Sequence, residues 1–228
     1  MTTKANATPT TRDRLLAEGM RLFAERGFRG TTVGDIEAAA GLTRRAGAMY
    51  KHFRDKRALL TAAVEGVLED AETMRSQLAQ ARPVAAPPVG PAAAQALRDE
   101  LAVIGRWLLA ELGHTEHLTR VLEKDGDLFP ELVDRIRVGF GDAGHREAVR
   151  FVRRWAPRPA AGTGRVADQL IQGAALMLIG SLANYRRVEW MLGAPPLGIP
   201  EKRFLAGWVA ASATLIEGIA APAGTVRP

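Results

Sequence analysis

The apolar residues of this chain recur at helical spacing, in segments separated by stretches rich in proline and glycine. Within each segment they lie three or four residues apart, which is the spacing of one helix face. Alternation typical of strands is scarce. The interruptions are "RPVAAPPVGP" at 82–91, "APRPAAGTG" at 156–164 and "GAPPLGIP" at 193–200, where proline disfavours a helix interior. The pattern predicts an all-α fold of about nine helices.

The first two helices have recognisable cap residues. A helix should begin near residue 10 or 11 and end at Gly27, a residue type common at helix C-termini. Thr32 followed by Asp35 is a capping-box pattern, which predicts a second, short helix that ends at Gly41. The residues expected on its buried side are Ile36, Ala39 and Ala40.

The next candidate caps are Thr43 and Asp55. Thr43 predicts a third helix that carries Met49, Tyr50 and Phe53, and Asp55 predicts a fourth from residue 56 to about residue 81. The remaining periodic segments predict helices at 92–112, 114–124, 130–155, 166–190 and 201–220. Residues 82–91 are expected to form a hinge loop, and the small polar residues 1–10 a flexible arm.

The last two long helices, 166–190 and 201–220, are apolar on more than one face. Helices of this kind have to be buried on two sides. In a chain of 228 residues, the second side is expected to be another subunit. The sequence therefore predicts a homodimer.

The positive charge is concentrated near the N-terminus. The net charge is +6, and residues 1–61 hold 12 Lys and Arg against 6 Asp and Glu, whereas the rest holds 19 of each. A basic region next to a neutral body is typical of nucleic-acid binding. A basic surface without a partner, or one attracted to anionic lipid, would give the same count.

Several function classes have no support in the sequence. There is no cysteine, which excludes disulfides and thiolate metal sites. No secretory signal and no charge-free apolar run of about 18 residues is present, so a cytoplasmic location without membrane contact is expected. Neither a nucleophile elbow nor a glycine-rich phosphate loop occurs, which argues against an enzyme. No cofactor is expected.

The segment "GLTRRAGAMYKHF", residues 41–53, lies between the second and third predicted helices. Helix, short turn and helix is the order of a helix-turn-helix motif, whose second helix enters the DNA major groove. Arginines at its start can contact phosphate or guanine, although they could also be ordinary solvated charges. Gly47 and Ala48 lack bulk, so the backbone can approach DNA closely.

Residues 31–60, "TTVGDIEAAAGLTRRAGAMYKHFRDKRALL", resemble the DNA-binding domain of TetR-family repressors, and the preceding "LFAERGFRG" resembles the end of that family's first helix. One difference is the spacing from Gly41 to Tyr50, which is longer than usual by two residues. The resemblance implies a three-helix helix-turn-helix head at 11–60. It also implies a larger helical ligand-binding and dimerisation domain at 61–228.

The resemblance and the motif together give a set of DNA-binding candidates. They are Thr32, Thr43, Arg44, Arg45, Gly47, Ala48, Tyr50, Lys51, His52 and Lys56. The Tyr50 hydroxyl is expected to reach a phosphate while its ring packs inside, and Phe53 is expected in the core. His52 could contact phosphate or be an ordinary surface residue.

The resemblance also implies a palindromic double-stranded DNA operator and a small inducer that releases the protein from it. We expect a largely apolar inducer, and the ligand-binding candidates are Trp107, Phe129, Met177 and Tyr185, each of which could equally be plain core. A DNA-binding regulator without a small ligand is the alternative. Glu111, His114 and His117 have helical spacing for a metal, but Gly113 is expected to break that helix, so no metal site is predicted.

Overall fold

The protein is described by a computed structural model that covers residues 8–81, 91–156 and 164–220. The regular structure of these residues is entirely helical, which confirms the all-α fold class. The α-helices are α1 Thr11–Arg26, α2 Val33–Ala39, α3 Lys56–Ala81, α4 Pro91–His114, α5 Glu116–Asp125, α6 Pro130–Ile136, α7 Ala143–Trp155, α8 Arg165–Leu192 and α9 Glu201–Ala220. The predicted hinge, apart from Pro91, and residues 1–7 of the predicted arm lie outside the described residues.

The predicted N-cap of the second helix is confirmed. At the start of α2, Asp35 N–H donates to Thr32 Oγ1 (3.2 Å) and Thr32 N–H donates to Asp35 Oδ2 (3.1 Å), which completes the capping box. Thr10 and Asp13 form the same arrangement at the start of α1. Each motif satisfies two backbone donors that have no partner inside their helix.

Four local predictions about the helices were wrong. The third helix expected from Thr43 is reduced to a 3₁₀ turn at Met49–Lys51. Ala39 is exposed rather than buried. Gly113 does not break α4, which continues to His114. In addition, α6 and α7 are joined by a π-helical turn at Arg137–Asp142, where a single α-helix was expected.

The described chain divides into two compact units. The N-terminal unit consists of Met1–Gln77 and Thr115–Phe140, and the C-terminal unit consists of Leu78–His114 and Gly141–Pro228. The first unit thus includes α5 and α6, which follow α4 in the chain. The boundary expected at residue 60 separates a DNA-binding domain from a ligand-binding and dimerisation domain. It is a functional division and not one by compactness, and it stays a prediction.

Each unit has its own apolar core. In the N-terminal unit, α1, α2 and the start of α3 pack with α5 and α6 around fully buried Leu15, Phe23, Ile36 and Leu59. Phe28 links two parts of this core, since its ring contacts Phe23 (centroids 5.0 Å apart) and Phe129 (4.7 Å).

The core of the C-terminal unit is formed by α4, α7, α8 and α9. Its fully buried aliphatic side chains include Leu101, Leu109, Leu182 and Ile216. By length and mean hydropathy (1.4) α8 could also cross a membrane. Most of its buried residues belong to this core, however, and core helices of soluble proteins often meet the same two criteria.

Candidate nucleic-acid interface

The chain between α2 and α3 contains an irregular stretch in the place of the expected third helix. Three of its residues have left-handed backbone conformations, namely Gly41 (φ 73°), Arg45 (φ 62°) and Gly47 (φ 71°). An α-helix requires negative φ at every residue, so residues 42–48 cannot form one. We call residues 42–48 the connecting segment.

The connecting segment lies against α2 through its two arginines. A Cβ atom built on Gly34 would be 3.1 Å from Arg45 Cγ and 3.2 Å from Arg44 Cγ. The stems of both arginines therefore cover this glycine. Arg44 also donates from Nη2 to Asp35 Oδ1 (2.6 Å), which ties the segment to the first turn of α2.

Asp35 is the acidic partner in this contact. Hydrogen bonds from the Thr32 side chain and backbone, with a smaller contribution from the Arg44 charge, lower the pKa of Asp35 below its ordinary value. The carboxylate is thus kept ionised, so it can both cap α2 and hold Arg44. Arg45, in contrast, is exposed and makes no hydrogen bond or ion pair within the described part of the chain.

Glu37 of α2 is a functional candidate that the sequence analysis missed. It is fully buried, and its Oε1 accepts a hydrogen bond from Met49 N–H (3.0 Å). A charged residue three positions before the buried Ala40 was the available sequence signal, because that spacing places it on the inner face of α2.

Most of the predicted DNA-binding residues are exposed. Thr32, Thr43, Arg44, Arg45, Tyr50, Lys51 and His52 are exposed, and Gly47 and Ala48 are half-buried. The expectation that the Tyr50 ring packs inside was wrong, since the side chain is 59% exposed. The shortened 3₁₀ turn buries Met49 instead of Tyr50. Phe53 is buried, as predicted.

Lys56 has a structural role that was not expected. Its Nζ donates to Phe28 O (2.7 Å) and Thr31 O (2.5 Å) and lies 4.5 Å from the centre of the Phe28 ring. Burial lowers the pKa of this ammonium group. Two of its three N–H donors hold the turn after α1, so only one remains for phosphate. The phosphate contact stays a prediction.

The end of α1 is also held by α5. Lys124 Nζ donates to Ala24 O and Glu25 O (3.1 Å each), and Phe28 N–H donates to Asp125 Oδ2 (2.8 Å). A cation at the C-terminus of a helix and an acceptor for the following N–H both stabilise this end. These contacts join residues about 100 positions apart in sequence, so no local sequence pattern predicts them.

The four ligand-binding candidates fall in different surroundings. Phe129 is buried in the N-terminal unit, where Arg57 lies 5.0 Å from its ring centre. Tyr185 is buried in the C-terminal unit, where its hydroxyl donates to Ile199 O (2.9 Å) and its ring stacks on Phe204. Met177 is 63% exposed. Trp107 is half-buried, and its Nε1–H is buried without an acceptor among the described residues.

The possible metal ligands are not on one helix. His114 ends α4, Thr115 forms a turn, and His117 belongs to α5. His114 Nδ1 lies 3.9 Å from Glu111 Oε1. Within the described residues, no group of three or more His, Asp or Glu side chains is arranged to hold a metal ion.

Comparison with known proteins identifies the N-terminal part of the chain. Residues 15–63 match the family model described as bacterial regulatory proteins, tetR family. The repressor KstR2 of Rhodococcus jostii is 44% identical over 59 residues (26% of this chain and 28% of KstR2). The regulator AcrR of Shigella flexneri is 48% identical over 46 residues (20% of each chain), and the regulator YerO of Bacillus subtilis is 41% identical over 54 residues (24% of this chain and 18% of YerO).

These sequence matches therefore span less than a third of the relatives' own lengths. The similarity of fold extends much further. A TetR-family transcriptional regulator from Mesorhizobium loti superposes with a TM-score of 0.57 over 90% of this chain and 94% of that one, at 19% identity. The fatty acid degradation regulator FadR from Bacillus halodurans gives 0.55 over 92% and 96%, at 15% identity.

The chain thus carries the TetR-family N-terminal domain and has the fold of the family's regulators, so the predicted resemblance is confirmed.

The contacts of Lys56 generate a stability prediction. Lys56→Ala should destabilise the N-terminal unit by about 1–3 kcal/mol, because the carbonyls of Phe28 and Thr31 lose a charged donor. Hydrogen exchange of the α1 and α2 amides measures the effect. Lys51→Ala, at an exposed position, is the matched control. Equal exchange in both variants would show that Lys56 does not hold this turn.

Proposed function

We propose that the protein is a DNA-binding transcriptional regulator, and specifically a repressor. We further propose that its contacts with the operator lie on the exposed region around residues 42–52. The observation that carries the proposal is a pair of arginines, Arg44 and Arg45, within the part of the chain that matches the TetR-family model. The stems of both arginines lie on α2, and the guanidinium group of Arg45 is exposed. KstR2, which is 44% identical to this chain over 59 residues, is named as a repressor. A cytoplasmic location and the absence of catalytic activity go with this proposal.

Arg45 is the better candidate for reading bases. Arg44 already donates to Asp35, whereas no donor of Arg45 is used by another residue in the described ranges. A guanidinium group can form two hydrogen bonds with guanine in the major groove. We assign Arg45 to a base edge, and Tyr50, Lys51, His52 and Thr43 to the surrounding contacts with phosphate, which position the domain without reading sequence.

Arg45→Ala should cost about 1–3 kcal/mol in operator affinity and relax the preference at one position in each half-site. Arg54→Ala is the matched control, because Arg54 is another highly exposed arginine (83% of its side chain) in the same turn region. Affinity for a duplex selected from a randomised pool and for random DNA is measured across a salt series.

The control variant should weaken both duplexes alike and lower the salt slope by about one unit at most, as expected for a lost phosphate contact. Equal losses on both duplexes in the Arg45 variant would identify Arg45 as another phosphate contact. A parent protein that does not prefer any duplex would contradict the proposed function itself.

We further propose that the active form is a homodimer joined through α8 and α9. An exposed stripe of α8 contains Val166, Leu170, Gly173, Met177 and Gly180, spaced by four and three residues. Exposed Gly207, Ala211, Thr214 and Gly218 have the same spacing on α9. Small residues between larger apolar ones allow two helices to approach closely, and a second copy offers the complementary surface.

In this arrangement two domains read a pseudo-palindromic operator, with half-sites about 34–36 Å apart or more. Met177 then contacts the partner subunit, which suits its exposed side chain better than the ligand pocket predicted from the sequence. The dimer also explains why α8 and α9 are apolar on several faces.

The double change Leu170→Glu and Met177→Glu should convert the dimer to monomers, since both side chains are exposed and the unit's own core is untouched. Sedimentation velocity measures the mass, and circular dichroism checks the helix content. Leu197→Glu is the control, because Leu197 is 96% exposed outside both stripes. A folded double variant that remains dimeric would exclude this interface.

We also propose that a small, largely apolar ligand binds the C-terminal unit and weakens DNA binding. The supporting observation is Trp107, whose indole N–H is buried without an acceptor among the described residues. An unsatisfied donor of this kind is costly, and a ligand that presents an acceptor would remove that cost. The alternative is a regulator that responds to no small ligand.

A thermal-shift screen of apolar acids and amides identifies the ligand. Trp107→Phe, which keeps an aromatic ring and loses the N–H, should bind it about tenfold more weakly, as for one lost hydrogen bond. A saturating concentration of the selected duplex should lower the affinity of the protein for the ligand. The factor should equal the one by which the ligand lowers the affinity of the protein for the duplex. Ligands that bind equally with and without DNA would contradict the allosteric part of the proposal.

A further inference from the structure

Glu37 is the only residue of α2 whose backbone and side chain hold opposite ends of the connecting segment, within the described chain. Leu42 N–H, at the start of the segment, donates to Glu37 O (2.9 Å). Met49 N–H, directly after its end, donates to Glu37 Oε1 (3.0 Å). One residue therefore fixes the distance and orientation across the irregular stretch.

The connecting segment needs such a support. Its left-handed residues exclude the regular hydrogen bonds of a helix. Inside the segment the structure has one backbone hydrogen bond, from Ala46 N–H to Thr43 O (3.2 Å). The orientation of Arg44 and Arg45 must therefore depend mainly on contacts with α2.

The support by Glu37 has an energetic cost. The side chain is fully buried, and its second oxygen, Oε2, has no hydrogen-bond partner among the residues that the structure describes. Burying a polar atom without a hydrogen-bond partner destabilises the folded state. An apolar side chain at this position would avoid the cost, but it could not accept the hydrogen bond from Met49 N–H.

We infer that Glu37 is a positioning residue for sequence recognition, which sets the connecting segment so that Arg45 meets its base edge. Glu37 does not itself touch DNA in this account, because it is buried. The inference rests on the proposed DNA-binding function. It differs from a purely structural role, in which Glu37 would stabilise the fold without affecting which sequences are bound.

Two substitutions by side chains of similar size separate the hydrogen bond to Met49 N–H from the filling of space by the Glu37 side chain. Glu37→Gln keeps an oxygen that can accept from Met49 N–H, and Glu37→Met fills a similar volume without an acceptor. Glu37→Asp is the third variant, since its carboxyl group is one methylene too short to reach Met49 N. Glu25→Gln is the control, because Glu25 is exposed in α1 of the same unit.

The measurement is the ratio of affinities for the duplex selected by the parent protein and for random DNA, taken under conditions where each variant is folded. Glu37→Met and Glu37→Asp should lower this ratio about tenfold or more, the scale of one lost base contact. Glu37→Gln and Glu25→Gln should keep it near the parental value. Urea unfolding records stability separately.

The inference would be overturned if Glu37→Met or Glu37→Asp kept the parental ratio of affinities and differed from the parent only in a lower stability. Because two variants remove the hydrogen bond, one that fails to fold leaves the other to decide. A parent protein that does not distinguish the two duplexes would instead refute the proposed function, so the two failures are distinguishable.

Discussion

The left-handed residues between α2 and α3 are the constraint on which the candidate interface depends. Gly41, Arg45 and Gly47 prevent a helix from forming where a helix-turn-helix motif would have one. The chain then has to be oriented by side chains of α2 instead of by its own backbone hydrogen bonds. Asp35 holds Arg44, Gly34 accommodates both arginine stems, and Glu37 holds the two ends.

The candidate interface also depends on the rest of the N-terminal unit. α2 can orient the connecting segment only if α2 itself is fixed, and the turn that precedes it is held by Lys56 through Phe28 O and Thr31 O. The preceding end of α1 is held by Lys124 and Asp125 of α5. Residues distant in sequence therefore support the basic region, although they carry no DNA-binding pattern themselves.

The sequence was sufficient for the helices and for most exposed candidates, because caps and apolar spacing are local. Thr32 with Asp35 correctly gave the start of α2, and Asp55 gave the start of α3. The missing third helix could not be read from Thr43, since a cap residue does not reveal the left-handed φ angles of Arg45 and Gly47. The structural contacts of Glu37, Lys56 and Lys124 were missed because their partners are 12, 25 to 28 and about 100 residues away.

The central claim is that residues 42–52 bind DNA while α8 and α9 do not. Hydrogen exchange measured by mass spectrometry, with and without a duplex selected from a randomised pool, tests it most directly. The account predicts slower exchange in peptides covering 42–52 when the duplex is added, and unchanged exchange in α8 and α9. Protection that appears elsewhere and leaves residues 42–52 unaffected would contradict it.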